Sequence, residues 1–366
     1  MSLKVSLYED INVQVPYPVV GRMSQVAISN AAVGGFLSMA ARCEADPVAL
    51  LEMVGRLGWR VDVRDAMGRL CWQGQLTEVE VHTTGYTFAY SLDDLVNAVK
   101  VVYSTFEDDG ETAVGLRPET DWATNATSIS TYGRKEAVLS MSGMDAAEAG
   151  LLRDRYLALY DQPLLQQHLT AEEVRAPYAW LRGRGYHWTC TWQVYNQSAE
   201  GDRATGTQIQ DIVTAECPFI ASTDVAATGV SVERFRDANQ TAWREMLRLA
   251  ALGDSSHNPL FCGVWEDRKL VVSAMPTEVG YLLRRNGRYL GSYREVVDPW
   301  LLRAGRILRL PEMVPGGVFF TPKLDDPRNV LIKEVSYNEA IGEPKIVPFE
   351  AKDVADQIVG TFEPWR

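Results

Sequence analysis

The chain has 366 residues, 46% of them hydrophobic and 23% charged, with a formal net charge of −12. That length exceeds what one hydrophobic core organises, so two or three lobes are expected. The negative balance argues against a general nucleic-acid binder, which needs cationic surface to displace phosphate counterions.

Residues 1–120 read mainly as strands. Val13 and Val15 alternate with polar neighbours until Pro16 breaks the run, and the small-residue stretch 27–41 shows no decisive period. Asp46-Pro47 opens a short helix carrying Val48, Leu51 and Val54, because an Asp cap followed by Pro preorganises the first turn. Gly55 and Gly58 end it. From Trp59 the period changes to two, with Trp59, Val61 and Val63 alternating with Arg60, Asp62 and Arg64. Leu70 and Trp72 return, Gly74 permits a bulge, and Leu76, Val79 and Val81 continue until Gly85 turns the chain into 86–90. The pattern predicts an antiparallel meander with one greasy face and one charged face. Residues 107–121 are an acidic loop or boundary whose D-D-G lacks the alternating ligand ladder of a calcium loop.

The segment 122–163 reads W-A-T-N-A-T-S-I-S-T-Y-G-R-K-E and then enters a helix from Asp145 to about Tyr160. Its D-A-A-E is a capping box, and Ala149, Leu152, Tyr156 and Leu159 give it one apolar face. Residues 164–180, with Pro177, read as a connector. Tyr186, Trp188, Cys190 and Trp192 then alternate with His187, Thr189 and Thr191, which predicts a half-buried strand. T-Q-I-Q, from Thr207 to Gln210, reads as a second capping box opening a short helix that Pro218 ends. The longest helix is expected over 232–252, with Phe235, Ala238, Ala242, Met246 and Leu249 on one face. A hairpin follows: Phe261 to Trp265, a turn at 266–268, and Leu270 to Val272. The basic cluster Arg284-Arg285-Asn286-Gly287-Arg288 reads as a solvated hairpin tip. After D-P-W-L-L-R-A-G-R-I-L-R-L, residues 325–328 and 330–335 are expected to supply a final strand pair, and a β-tail ends at Trp365.

Catalytic signatures are sparse. The four histidines, His82, His168, His187 and His257, show no H-x-x-x-H or H-E-x-x-H spacing, and His82 and His187 fall on exposed faces of alternating strands. L-S-M-S-G-M lacks the first glycine of a nucleophile elbow, and Gly34-Gly35 and Gly316-Gly317 are turn glycines. Asp93-Asp94, Glu172-Glu173 and Asp325-Asp326 are adjacent acids that read as solvated caps rather than a glycosidase pair. Cys43, Cys71, Cys190, Cys217 and Cys262 are scattered, with no C-x-x-C, and read as reduced, mostly buried thiols. No catalytic residue, metal ligand, cofactor or membrane span is expected.

Three stretches carry a resemblance. Ser128, Ile129, Tyr132, Gly133 and Glu136 match S-I/Q-x-x-Y-G-x-x-E. Trp72-Gln73-Gly74 to Val79, with Asn97 to Tyr103, matches a W-x-G hairpin followed by L-x-D/N-x-V-x-V-x-Y. Residues 299–310 match P-x-x-(V/L)-R-x-G-x-x-(V/L)-x-L. In these the chain resembles the baseplate hub or tail-tip hub proteins of tailed bacteriophages.

The resemblance implies a β-rich α+β chain with two antiparallel β-barrel-like lobes related to the tail-tube fold, packed helices and a connecting α/β segment. The division it implies is a first tube-like lobe at 1–120 and a helical connector module at 121–185. A second β-rich lobe with a long helix follows at 186–315, and a C-terminal β-tail at 316–366. It implies a non-enzymatic virion protein of the tail tip or baseplate, assembled in the host cytoplasm. Such a protein self-associates as a homotrimer and joins the tube or distal ring to tip or fibre proteins. DNA then passes through an acidic lumen without specific binding. A hexameric distal ring, a receptor-binding minor tail protein and a virion-associated glycan or cell-wall hydrolase are the alternatives.

Overall fold

The computed structural model describes residues 3–18, 21–104, 118–169, 173–195, 197–198, 200–234, 240–256, 258, 260–311 and 328–349. Strand outweighs helix, 45% against 21%, so the chain is β-rich and α+β.

The main sheet grows from the hairpin Arg22–Ala31 and Gly34–Glu44, which resolves the ambiguous stretch 27–41. On one side Gly34–Glu44 pairs with Tyr178–Arg184, which pairs with the long strand Leu70–Thr83. That strand continues outward into Tyr86–Ser91 and then Leu164–Leu169. Its first half also holds Arg60–Arg64, flanked by Lys4–Tyr8. On the other side Arg22–Ala31 pairs with Asn329–Asn338, which carries Pro344–Pro348.

The sheet curls into a half-barrel around Leu7, Phe36, Met39, Trp72, Leu76 and Leu181. Helix Pro47–Val54 plugs it with Leu50 and Met53, and its Asp46 cap accepts from the Val48 and Ala49 amides at 3.0 Å. Arg22–Ala31 bulges at Gln25, whose φ is 54°. Beside the bulge the Glu339 carboxylate accepts from Leu3 N at 3.1 Å and Val26 N at 3.4 Å, linking the N-terminal segment to the bulged strand.

Two readings of this region are corrected. The 164–180 connector is instead edge strand Leu164–Leu169 and the start of central strand Tyr178–Arg184. Its polar, weakly alternating sequence hid a strand whose neighbours come from distant segments. The extra residue opposite Tyr178–Arg184 is Thr77, not Gly74. Gly74 serves close approach, since a Cβ there would sit 2.2 Å from the Arg184 carbonyl oxygen.

A small second sheet holds Ala98–Ser104 between parallel Glu136–Ser142 and antiparallel Ala123–Thr124. Helix Ala146–Tyr160 lies on it with its capping box formed as expected. Only Ala149 is fully buried; Leu151 and Leu159 are 60% and 66% exposed.

The second core packs helices Thr205–Glu216 and Ala242–Ala251 on the hairpin Leu260–Trp265 and Lys269–Ala274, with Ser222–Val225 added in parallel. Three expectations fail here. Tyr186–Thr191 is a 3₁₀ helix, not a strand. Thr189 and Thr191 donate their hydroxyls back to the carbonyls of Tyr186 and Trp188, both at 2.7 Å, and such local bonds compete with a ladder. The helix expected over 232–252 is confined to Ala242–Ala251, where Thr241 caps the Arg244 amide, and Ser231–Arg234 is strand. Phe235 and Ala238 lie outside the described residues. The longest described helix is Ala146–Tyr160. The helix assigned to T-Q-I-Q starts earlier, at Thr205, without a side-chain cap. Gln208 anchors it instead, donating to the carbonyls of Arg203 at 3.0 Å and Val232 at 2.7 Å.

A third core joins Val279–Leu283, Tyr289–Gly291, Ile307–Arg309 and Asn329–Asn338. The strand expected at 330–335 falls inside Asn329–Asn338. Asp325, Asp326, Gly316, Gly317, Trp365 and most of 107–121 lie outside the described residues.

Candidate functional site

The segments that carry the family resemblance converge on joints between the cores. Asn97, fully buried, starts the strand Ala98–Ser104. Its amide nitrogen donates to the Gly133 carbonyl at 2.8 Å and to Ser128 Oγ at 3.2 Å, and its oxygen accepts from Lys135 N at 2.7 Å. Two of the matched segments therefore meet in one hydrogen-bonded knot. Asn125 caps helix Ala126–Tyr132 by accepting from Ser128 N, and donates to Asp161 at 2.7 Å.

Neighbouring signature residues then face different cores. Tyr132 packs on the half-barrel core. Gly133, with φ 91°, abuts the second core, where a Cβ would lie 2.4 Å from the Phe219 ring. The Glu136 carboxylate accepts from Val194 N at 2.9 Å and from Arg134 Nε at 2.6 Å, while its own amide donates to the Trp192 carbonyl. Lys135 Nζ donates to the carbonyls of Leu92 at 2.7 Å and Asp93 at 2.5 Å, beside the Trp188 ring. Burial pushes its pKa down to about 8, against the attraction of Asp93 and Asp94.

The second joint is built by Asp298, Trp300 and Arg303. Arg303 reaches three parts of the chain. Its guanidinium donates to the carbonyls of Leu70 at 3.1 Å and Cys71 at 3.3 Å and to Glu266 at 2.8 Å, and lies 4.9 Å from the Phe36 ring centre. Its backbone amide donates to the Tyr281 hydroxyl. Asn30 completes the seam by donating to the Leu302 carbonyl and accepting from Ala304 N at 2.7 Å. Trp300 donates to Asp65, and Arg69 bridges Asp65 and Asp298. Burial works to raise the Asp65 carboxyl, but the bonds from Arg69 and Trp300 outweigh it and hold the carboxyl below its ordinary range.

The expected charged face of the meander holds a buried ion cluster. Asp62 is fully buried, 3.0 Å from Arg64 and 3.4 Å from Arg60, and accepts from Gln73 at 3.0 Å. An alternating pattern marks two faces; it does not say that the polar one meets water. Gly34-Gly35 does more than turn. Strand Leu260–Trp265 pairs with it in parallel, and a Cβ on Gly35 would stand 2.0 Å from the Val264 carbonyl oxygen.

The histidines and acid pairs do not converge. His82 stacks on Tyr178 with centroids 4.6 Å apart, and His168 lies exposed on the edge strand. His187 is not on an exposed face: it packs against Trp243 with Nδ1 3.0 Å from the Phe36 carbonyl, and burial pushes its pKa down to about 4. His257, Glu172, Asp325 and Asp326 are outside the described residues. Asp93 pairs with Arg184 at 2.8 Å. All five cysteines are buried and unbridged, and burial raises the Cys43 thiol to about 11 and Cys71 and Cys262 to about 12. Among the described residues no cluster of three or more His, Cys, Asp or Glu is arranged to hold a metal, and no helix is long and apolar enough to cross a membrane.

What the half-barrel leaves open is its edge. Leu164–Leu169 pairs only with Tyr86–Ser91 among the described residues, and Leu165 and Leu169 are 46% and 89% exposed. It has no charged side chain, proline or bulge, the devices that normally guard an edge strand.

No protein-family profile and no curated protein matches the sequence. Solved structures similar to the chain include two tail proteins and a type VI secretion component. The 43 kDa tail protein of prophage MuSo2 from Shewanella oneidensis aligns over 96% of this chain and 98% of its own, at 8% identity and a TM-score of 0.46. A tail protein from Neisseria meningitidis aligns over 97% and 98%, at 6% identity and 0.46. An E. coli component of the type VI secretion system, described as structurally similar to the T4 tail proteins gp27 and gp5, aligns over 95% and 78%, at 8% and 0.45.

Proposed function

We propose that the chain is a structural protein of a phage-type tail, a hub or tip adapter that joins the tube or distal ring to tip or fibre proteins. The observation that carries this reading is the unguarded edge of the half-barrel, Leu164–Leu169, exposed with two leucines on one face. A protein that assembles by extending its sheet leaves such an edge; one that works alone blunts it. The joints support the same role. An adapter under load needs its cores locked together, and the resemblance-bearing residues Asn97, Gly133, Glu136 and Arg303 lie in those locks.

In this reading the half-barrel is one tube-like lobe and the helix-covered sheet the second, and three copies alternate the two around a ring. DNA passes through the acidic lumen without specific contacts, since like charges repel. The chain performs no chemistry of its own and resides in the virion tail. The test is mass by light scattering on the purified chain, alone and mixed with its neighbouring tail proteins. A trimer, or a monomer that becomes threefold on a partner ring, supports the hub. A stable sixfold ring moves it to the distal ring, and a monomer that ignores tail proteins but cleaves glycan overturns the reading.

A further inference from the structure

The third core carries a groove of about 970 Å³ rimmed by Arg284, Arg285, Arg288, Arg294, Arg309 and Arg328. Six cations round one concavity stand out in a chain whose formal net charge is −12. The basic run expected to be a solvated hairpin tip is a tip, closed by the Arg284 amide donating to the Arg288 carbonyl. It does not stand alone, because the next turn adds Arg294, held at φ 65°, and the neighbouring strand Ile307–Arg309 adds Arg309. Three elements thus bring arginines to one space; Arg284, Arg288 and Arg294 are exposed on its rim, while Arg309 Nε donates to Asn329 at 3.0 Å. The floor between them is apolar, with Leu282, Leu290 and Val296.

We propose that this groove docks an acidic peptide segment bearing apolar side chains, carried by another protein. Charge complementarity requires an anion, and guanidinium forks match carboxylates bidentately. The apolar floor selects a ligand with greasy side chains between its acids. Nucleic acid fits less well: no aromatic ring lines the groove among the described residues to stack a base. A duplex, moreover, presents a convex phosphate surface with nothing to fill an apolar floor.

The experiment is fluorescence anisotropy on the full chain with a short labelled peptide of alternating acids and leucines. An otherwise identical peptide with serine for leucine and a single-stranded oligonucleotide serve as comparisons. The combined variant Arg284→Ser/Arg288→Ser/Arg294→Asn changes exposed turn positions, and Asn tolerates the left-handed backbone at 294. Saturable binding of the acidic leucine peptide is expected, weakened about tenfold or more by the variant and by raising salt from about 50 to about 300 mM. The serine peptide is expected to bind more weakly than the leucine one. Absence of peptide binding, equal binding by a variant with an unchanged melting curve, or tighter binding of the oligonucleotide would each overturn the proposal.

Discussion

Replacing Asn97 with alanine tests whether the first joint holds two cores together. The substitution deletes two donated hydrogen bonds and one accepted bond, and strands Lys135 N–H, the Gly133 carbonyl and Ser128 Oγ around a fully buried position. Each stranded buried group costs about 1–3 kcal/mol, and partial rehydration of the new cavity offsets some of that, so the net loss is about 3–5 kcal/mol. Asn125→Ala serves as a milder control. It loses a helix cap and the Asp161 contact, about 1–2 kcal/mol. Denaturant unfolding followed by tryptophan fluorescence reads both, because Trp188 and Trp192 sit on the far side of this joint, 5.0 Å apart. If Asn97→Ala shifts the transition no further than Asn125→Ala does, the knot is not a structural lock and the reasoning fails.

Further outcomes test the other seams. Gly35→Ala forces a Cβ against the Val264 carbonyl at a φ of 78°, so the two sheets must part. A loss of at least about 3 kcal/mol is expected, with the earliest change in hydrogen exchange at Leu260–Trp265. Arg303→Lys keeps the charge but loses the planar fork across Leu70, Cys71 and Glu266, and is expected to cost about 2 kcal/mol in thermal or denaturant unfolding; a neutral result would remove Arg303 from the account. His187 has a folded pKa of about 4 against an ordinary 6.5, so the unfolded chain binds the extra proton between those values. Its contribution is present above pH 6.5 and is lost as pH falls to about 4, to a total of about 3 kcal/mol at most. His187→Gln is expected to flatten that part of the stability-versus-pH curve, and parallel curves would show that the imidazole is not held neutral by burial.

Local capping chemistry was legible at two of the three helix starts assigned from it, the exception being T-Q-I-Q. Asp46-Pro47 and D-A-A-E at 145–148 open helices where expected, because a cap is decided by neighbours along the chain. The meander from Trp59 was legible for the same reason: each of its strands pairs with the next. Tyr178–Arg184 was not, since its partners are Gly34–Glu44 and Leu70–Thr83, far away in sequence. The alternation at 186–192 misled because burial there does not follow a period of two: Tyr186, Thr189, Cys190 and Trp192 are buried, while His187, Trp188 and Thr191 are half-buried. The matched segments pointed to Asn97, Ser128, Gly133 and Arg303 without saying what they do. Their role as joints appears only once three cores lie side by side. Lys135 gave no signal beyond its place in one of those segments, and Asn30, in the stretch 27–41, gave none.

The central claim is that the half-barrel edge is an assembly surface, and light scattering on wild type and Leu165→Lys/Leu169→Lys tests it most directly. Both leucines are exposed, so the charges leave the folded chain intact while opposing edge-to-edge pairing. The account predicts a multimer, threefold alone or on its partner ring, for wild type and a folded monomer for the variant. A variant that assembles as wild type does, with its melting curve unchanged, would contradict it.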